Sequence, residues 1–198
     1  RRGKPSVHKA FGEQVALLAG DALIVLAFET LAIESASKPD TLAQLIKIIA
    51  ASVGAPRGIV AGQAWESEQR INLANYHQEK TGSLFAAATM SGAVSCGYDA
   101  EEWRHLGITV GESYQIADDI RDVCASAEEI GKPTGQDEAN SRPNIAREMG
   151  VDDAVLLLKR MIAEAVEKIP QCPGRNDLQK QITTEGQHFL PENMRDVA

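Results

Sequence analysis

The sequence lacks several features that would point to common protein classes. Its three cysteines, Cys96, Cys124 and Cys172, are odd in number and far apart. They form neither a zinc pattern nor a disulfide framework, which fits reduced thiols in a cytosolic protein. Sustained alternation of β-branched and polar residues is nearly missing, so sheets are not expected. There is no nucleophile elbow, P-loop or dinucleotide fingerprint, and His8, His77, His105 and His188 show no metal-ligand spacing with one another. No signal peptide, internal repeat, low-complexity run or interdomain linker is visible. Positive charge is scarce in the second half. Residues 1–99 carry 9 basic and 9 acidic side chains, residues 100–198 carry 11 and 19, so the whole formal charge of -8 lies beyond residue 99. Such a chain repels phosphate backbones, which argues against a nucleic-acid partner. An anionic small molecule would need local Lys or Arg, or metal ions. There is also no initiator methionine: the chain begins Arg1-Arg2-Gly3, as a processed protein or a piece of a longer one does.

What is present reads as helix. The 198 residues, 43% hydrophobic and 24% charged, fit one soluble domain spanning 1–198 with a core of its own. Ala/Leu/Glu-rich blocks separated by Gly, Pro and Asp predict helices over 13–37, 41–53, 57–68, a stretch leading to Thr81-Gly82, 83–96, 100–124, 150–169 and 175–187, with a loop over 125–144. Asp40 or Thr41 is the expected cap of the second of these. The most apolar stretch, Val15 to Ile33, raises the question of a membrane span. It carries Asp21 and Glu29, which are costly in lipid, so it is expected to be a buried core helix. The small apolar residues of 83–96 predict close packing, either in the core or between two copies of the chain. The expected fold class is an all-α bundle with helices wrapped by other helices.

The chemistry concentrates in 111–122. On a helix, Asp118 and Asp122 lie one turn apart on one face, with Gln115 and Asp119 on a neighbouring face. Three carboxylates within five residues repel one another by a few tenths of a kcal/mol per pair or so. The helix is otherwise apolar, so the cluster is expected to face an interior or a cleft. A hard cation such as Mg²⁺, which keeps waters and shares itself with phosphates, would relieve the repulsion; an acidic solvated face partly neutralised by Arg121 is the alternative. Lys132, on the glycine-bounded loop 131–137, could reach a phosphate or belong to a surface turn. Lys80 precedes Thr81 and Gly82. A bend at Gly82 would free carbonyl oxygens and aim Lys80 at an anion, whereas an ordinary helix end would place Lys80 against the dipole. Arg1 and Arg2 suit two neighbouring anionic groups or a basic terminus without structure.

Taken in order, these pieces resemble the trans-prenyltransferases, the polyprenyl diphosphate synthase family. They are Arg1-Arg2-Gly3-x-Pro5, Phe11-Gly12-Glu13, Gly20-Asp21-Ala22-Leu23, Gly62-Gln63, Lys80-Thr81-Gly82, Tyr114-Gln115-x-x-Asp118-Asp119-x-x-Asp122, and Gly131-Lys132 with Asp137. The stretch from Trp65 to Glu68 and the loop after Gly131 are most similar to geranylgeranyl diphosphate synthases of bacterial carotenoid and bacteriochlorophyll pathways. The resemblance implies an isoprenoid synthase-type helical bundle and a cytoplasmic homodimer without an integral membrane segment. It implies Mg²⁺ at Asp118, Asp119 and Asp122, the second aspartate-rich motif. It further implies that Lys80 and Lys132 contact the allylic diphosphate with Thr81 and Gln115 beside it. Arg1 would bind the allylic diphosphate and Arg2 that of isopentenyl diphosphate. The implied reaction is Mg-assisted ionisation to an allylic carbocation, which isopentenyl diphosphate attacks to extend the chain to geranylgeranyl diphosphate.

One departure stands out. The family's first aspartate-rich motif and an earlier basic element would precede residue 1, so the N-terminal helices are missing. On that ground the chain as given is expected to be inactive alone, as the C-terminal two thirds of a synthase. A non-catalytic small-subunit homologue that partners an active synthase is the first alternative. A terpene cyclase on the same fold is the second; it is disfavoured by Lys80-Thr81-Gly82 and by the fully acidic motif.

Overall fold

The computed structural model describes residues 3–68, 75, 76, 78–124, 144–191 and 194. Among them there is no strand, and the predicted all-α class holds. The chain enters through α1 (Val7–Phe11) and α2 (Glu13–Glu34), then α3 (Pro39–Val53) and the short α4 (Ile59–Ala64). A single 3-10 turn, Trp65–Ser67, extends α4. A π-helical turn, Gln78–Gly82, runs directly into α5 (Ser83–Ser95). The long α6 (Glu101–Cys124), α7 (Ile145–Met149), α8 (Val151–Glu167) and α9 (Arg175–His188) complete the bundle.

α6 is the axis. One side of it buries Ile116, Ala117 and Ile120 against Ala146 of α7, Ala154, Leu158 and Ile162 of α8, and Leu190. Nearer its start, Trp103 and Leu106 pack with Ala93, Ala165 and Ile169. The opposite side lies against α5 at close range because Gly107 has no side chain: a Cβ there would stand 2.5 Å from the Phe85 carbonyl oxygen and run into the Ala86 backbone. This accounts for the small residues of 83–96. Ala86, Ala87, Met90, Ala93 and Val94 are buried within the chain itself, with α6 and α3 packed against the helix that carries them. One face of that stretch is core, while Leu84, Ala88 and Gly92 on the other face are exposed.

Two expectations are corrected. α3 begins at Pro39, whose missing N–H costs nothing at the first helical position; neither Asp40 nor Thr41 caps it, the N-cap residue being Lys38 with no side-chain bond. More consequentially, α2 is not a buried core helix. None of its 22 residues is buried, and Leu17, Leu18, Leu23 and Val25 are each about two-thirds exposed (66–69%). Hydrophobic content signalled a helix that needs covering, but the described residues do not cover it.

Candidate functional site

The π-helical turn places the basic element. A π turn widens the helix and shifts the register of its hydrogen bonds, a distortion often found at functional sites. It realises the bend expected at Gly82. It is held from outside by α4, since a Cβ at Gly62 would approach the Lys80 backbone nitrogen to 2.6 Å. It is held from below by Glu79, which accepts the Gly58 N–H. Lys80 is half-buried. Its Nζ donates to the Tyr76 hydroxyl and sits 4.9 Å from that ring's centre, a cation–π contact that fixes the side chain.

From this turn a line of polar groups runs into α6. Thr81 Oγ1 donates to Gln115 Oε1 at 3.1 Å, and Gln115 Nε2 donates to Asp119 Oδ1 at 2.9 Å. The other oxygen of Asp119 accepts the Ile145 backbone N–H at 2.9 Å, and its carbonyl accepts Asn144 Nδ2 at 3.1 Å. Asp119 is 1% exposed. Such burial of a carboxylate is tolerable only with its oxygens hydrogen-bonded in this way. Asp122 is also buried, with the Arg147 guanidinium 3.7 Å from its Oδ2, while Asp118 is half-buried.

The expected inward orientation of the acidic cluster is therefore found. Thr81, Gln115 and Asp119 are joined by direct hydrogen bonds, and Asp118 and Asp122 follow one another on the same helix. Arg121, the neutralising partner in the alternative reading of a solvated acidic face, instead donates to the carbonyl of His188 at 2.9 Å; Arg147 takes the place beside Asp122. Among the described residues no three His, Cys, Asp or Glu side chains gather around one point. A cation at the acidic turn would thus complete its shell with water or ligand oxygens, as Mg²⁺ commonly does. Arg1, Arg2 and Lys132, and His77 and Asp137 with them, lie outside the described residues.

Asn144 and Arg147 were missed from the sequence. The available signal was an Asn just ahead of Ile145, a helix-start pattern. It is weak because the helix it opens has only five residues.

Beside this site lies an apolar cavity of about 880 Å³ bounded by α5, α6, α8 and α9. Phe85, Trp103, Val110, Ile182 and Phe189 are among its walls, and none of its lining residues is a Lys, Arg or His. It therefore offers no cation to anchor a diphosphate. Tyr114, the neighbour of Gln115, contacts both Phe85 (ring centres 5.6 Å apart) and Phe189 (5.5 Å, edge to face). Cys124, at the end of α6, has its thiol pKa pushed up by burial and by Asp152.

Comparisons with known proteins bear on the family and the fold. The polyprenyl synthetase family matches residues 1–174. Geranylgeranyl diphosphate synthase of Cereibacter sphaeroides is 49% identical over 191 residues, covering 96% of this chain and 66% of the relative. The enzyme of the same name from Rhodobacter capsulatus is 50% identical over 182 residues, covering 92% and 63%. Among solved structures, a Helicobacter pylori geranyltransferase complexed with magnesium and isoprenyl diphosphate superposes with a TM-score of 0.79 at 26% identity, over 93% of this chain and 64% of that one. The chain thus spans a little under two thirds of the length of these relatives. With its helical fold, its Lys80-Thr81-Gly82 turn and its acidic helix in the family's order, the chain belongs to the polyprenyl synthetase family.

Proposed function

We propose that the whole protein is a Mg²⁺-dependent trans-prenyltransferase that condenses an allylic diphosphate with isopentenyl diphosphate to give geranylgeranyl diphosphate. The observation that carries this reading is identity near one half with two geranylgeranyl diphosphate synthases, over more than nine tenths of the chain. The polar line from Thr81 to the acidic turn supports it, as does a magnesium and isoprenyl diphosphate complex in a structural neighbour.

The residues fit a hard divalent cation. Asp118 and Asp122 present carboxylate oxygens from successive turns of a rigid, packed helix, and would hold it with Asp119 beside them. When bound, magnesium supplies charge neutralisation of the departing diphosphate. The chain does the rest. Lys80, kept in place by Tyr76, and Lys132 contact the allylic diphosphate. Thr81 and Gln115 orient it through hydrogen bonds already in register, and Arg1 and Arg2 take one diphosphate each. Positive charge placed in advance where the leaving group develops its own charge lowers the barrier to C–O cleavage. Exclusion of water preserves the allylic carbocation until the isopentenyl double bond attacks it, and the resulting cation loses a proton to the released diphosphate to give the product.

The protein is proposed to be a cytoplasmic homodimer without an integral membrane segment. α2 is long and apolar enough to cross a membrane, but it carries Asp21 and Glu29. Its uncovered apolar side chains suit a protein partner better than lipid.

Asp118→Asn with Asp119→Asn, made together in the whole protein, abolishes elongation of farnesyl diphosphate by isopentenyl diphosphate in a radiolabel assay. Turnover near the wild-type rate would remove the acidic turn from the mechanism. Elongated product in the unmodified protein excludes a terpene cyclase. Mg²⁺-dependent diphosphate binding by calorimetry excludes a non-catalytic subunit.

A further inference from the structure

The acidic helix is tied to a part of the chain far away in sequence, and the segment 144–147 makes the tie. Asn144 uses both ends of its amide. Its Nδ2 donates to the Asp119 carbonyl at 3.1 Å, and its Oδ1 accepts the Arg147 backbone N–H at 3.1 Å, capping α7. Asn144 is 2% exposed. The next residue, Ile145, gives its N–H to Asp119 Oδ2 at 2.9 Å. Two residues further on, Arg147 reaches Asp122 at 3.7 Å. One short segment, 144–147, therefore engages two of the three aspartates. Through Gln115, the position of Asp119 also sets the orientation of the amide that meets Thr81.

We propose that Asn144 is a positioning residue of the acidic turn. By docking the start of α7 on Asp119 it commits that carboxylate to the protein interior. It brings Arg147 against Asp122 and so sets the spacing of Asp118 and Asp122, the pair that would hold the cation. Asp119 and Asn144 then act together as a latch. The latch fixes the Gln115 amide with its oxygen toward Thr81 and its N–H₂ toward Asp119, one turn further along α6. A cation-and-diphosphate site needs its ligands held within a fraction of an ångström before the ligand arrives. A hydrogen bond between residues 25 apart in sequence supplies that rigidity where the helix alone cannot.

The capping and latching roles separate by substitution. Asn144→Asp keeps an oxygen for the Arg147 N–H but removes the donor to Asp119. Asn144→Ala removes both. The measurements are thermal midpoint, amide hydrogen exchange across 115–122, and Mn²⁺ affinity with inorganic pyrophosphate, each on the 198-residue chain. The expected result is that Asn144→Asp melts within a few degrees of the wild type, exchanges faster across 115–122 and binds Mn²⁺–pyrophosphate about tenfold or more weakly. The added negative charge would by itself strengthen cation binding, so a loss identifies geometry as the cause. Asn144→Ala shows the same loss with a lower midpoint.

The affinity readout rests on the proposed function, whereas the exchange readout does not. A wild type that binds no Mn²⁺–pyrophosphate counts against the proposed function, and the latch is then judged on exchange alone. If Asn144→Asp leaves exchange across 115–122 unchanged, or binds Mn²⁺–pyrophosphate as well as the wild type does, the latch is overturned while the proposed function stands.

Discussion

The N-terminal helix α2 and the bundle around α6 solve opposite problems. Around α6, α7 and α8 the core-facing apolar side chains are enclosed, with Leu156 and Val123 exposed on the outer face, and the buried polar groups are largely paired: Ile120 is 0% exposed, Leu158 1%, and even Asp119 is 1% exposed with both oxygens hydrogen-bonded. α2 has much the higher apolar content and encloses nothing, with Leu17 69% exposed and Leu18 66%. Hydrophobicity says that a surface will be covered; it does not say by what. A large uncovered apolar surface is the informative exception in a folded protein. Here it marks a surface that the described residues leave uncovered, whereas they enclose the inner face of the acidic helix.

The contrast can be tested, starting with the largest effect. Leu158→Ala removes a fully enclosed side chain between Ile116, Ile120 and Ile162. It should cost about 4 kcal/mol by transfer and cavity terms, read from urea unfolding of the chain. A cost below about 1 kcal/mol would mean that the α6–α8 core is far looser than described. Gly107→Ala comes next. Its new methyl group would run into the Ala86 backbone, which cannot rotate away as a side chain could. An overpacking cost of about 2 kcal/mol is expected, and a neutral outcome would show that α5 and α6 slide apart freely.

The sequence makes one side of this contrast readable and hides the other. Apolar periodicity and Gly/Pro punctuation place α6 at 101–124 against an expectation of 100–124, and α5 at 83–95 against 83–96. The i, i+4 spacing of Gln115 and Asp119 anticipates their hydrogen bond, because that geometry is local to one helix. Partners supplied from elsewhere are not encoded locally. Arg121, next in line to the aspartates, is their counter-charge only in the alternative reading; it donates to His188 while Arg147 takes Asp122. α7 escapes notice because five residues are too few to show a period. For α2 the pattern was visible and the inference from it failed: charges inside an apolar run argue against lipid, but do not establish burial in the same chain.

A smaller effect is expected at Glu112, on the flank of α6. Burial raises its pKa, the nearby Glu164 adds to the rise, and His105 opposes it. A carboxyl whose folded pKa is raised loses stability as pH climbs from its ordinary value through the raised one, because the folded state then gives up a proton it prefers to keep. Glu112→Gln should therefore raise the thermal midpoint by a degree or two at pH 7. The difference should vanish at pH 3.5, where the wild-type side chain is already neutral. A variant that melts lower than wild type at pH 7 would show that His105 outweighs burial.

The smallest expected effect on folding is at α2, and it separates the two regions most cleanly. Leu18→Ser exchanges one exposed apolar side chain for a polar one. At protein concentrations where the chain is monomeric, the unfolding free energy should move by less than about 0.5 kcal/mol, as for other surface substitutions. The same change in Leu158 would be severe. Association should respond in the opposite way: Leu17→Ser, Leu18→Ser and Leu23→Ser combined remove much of the uncovered surface and should shift the weight-average mass toward the monomer in sedimentation equilibrium. A fall of several kcal/mol in monomer stability would mean that α2 is enclosed by its own chain in solution, which would erase the contrast between the two regions. Unchanged association with unchanged stability would remove α2 from the proposed dimer contact and leave its apolar surface to a different partner.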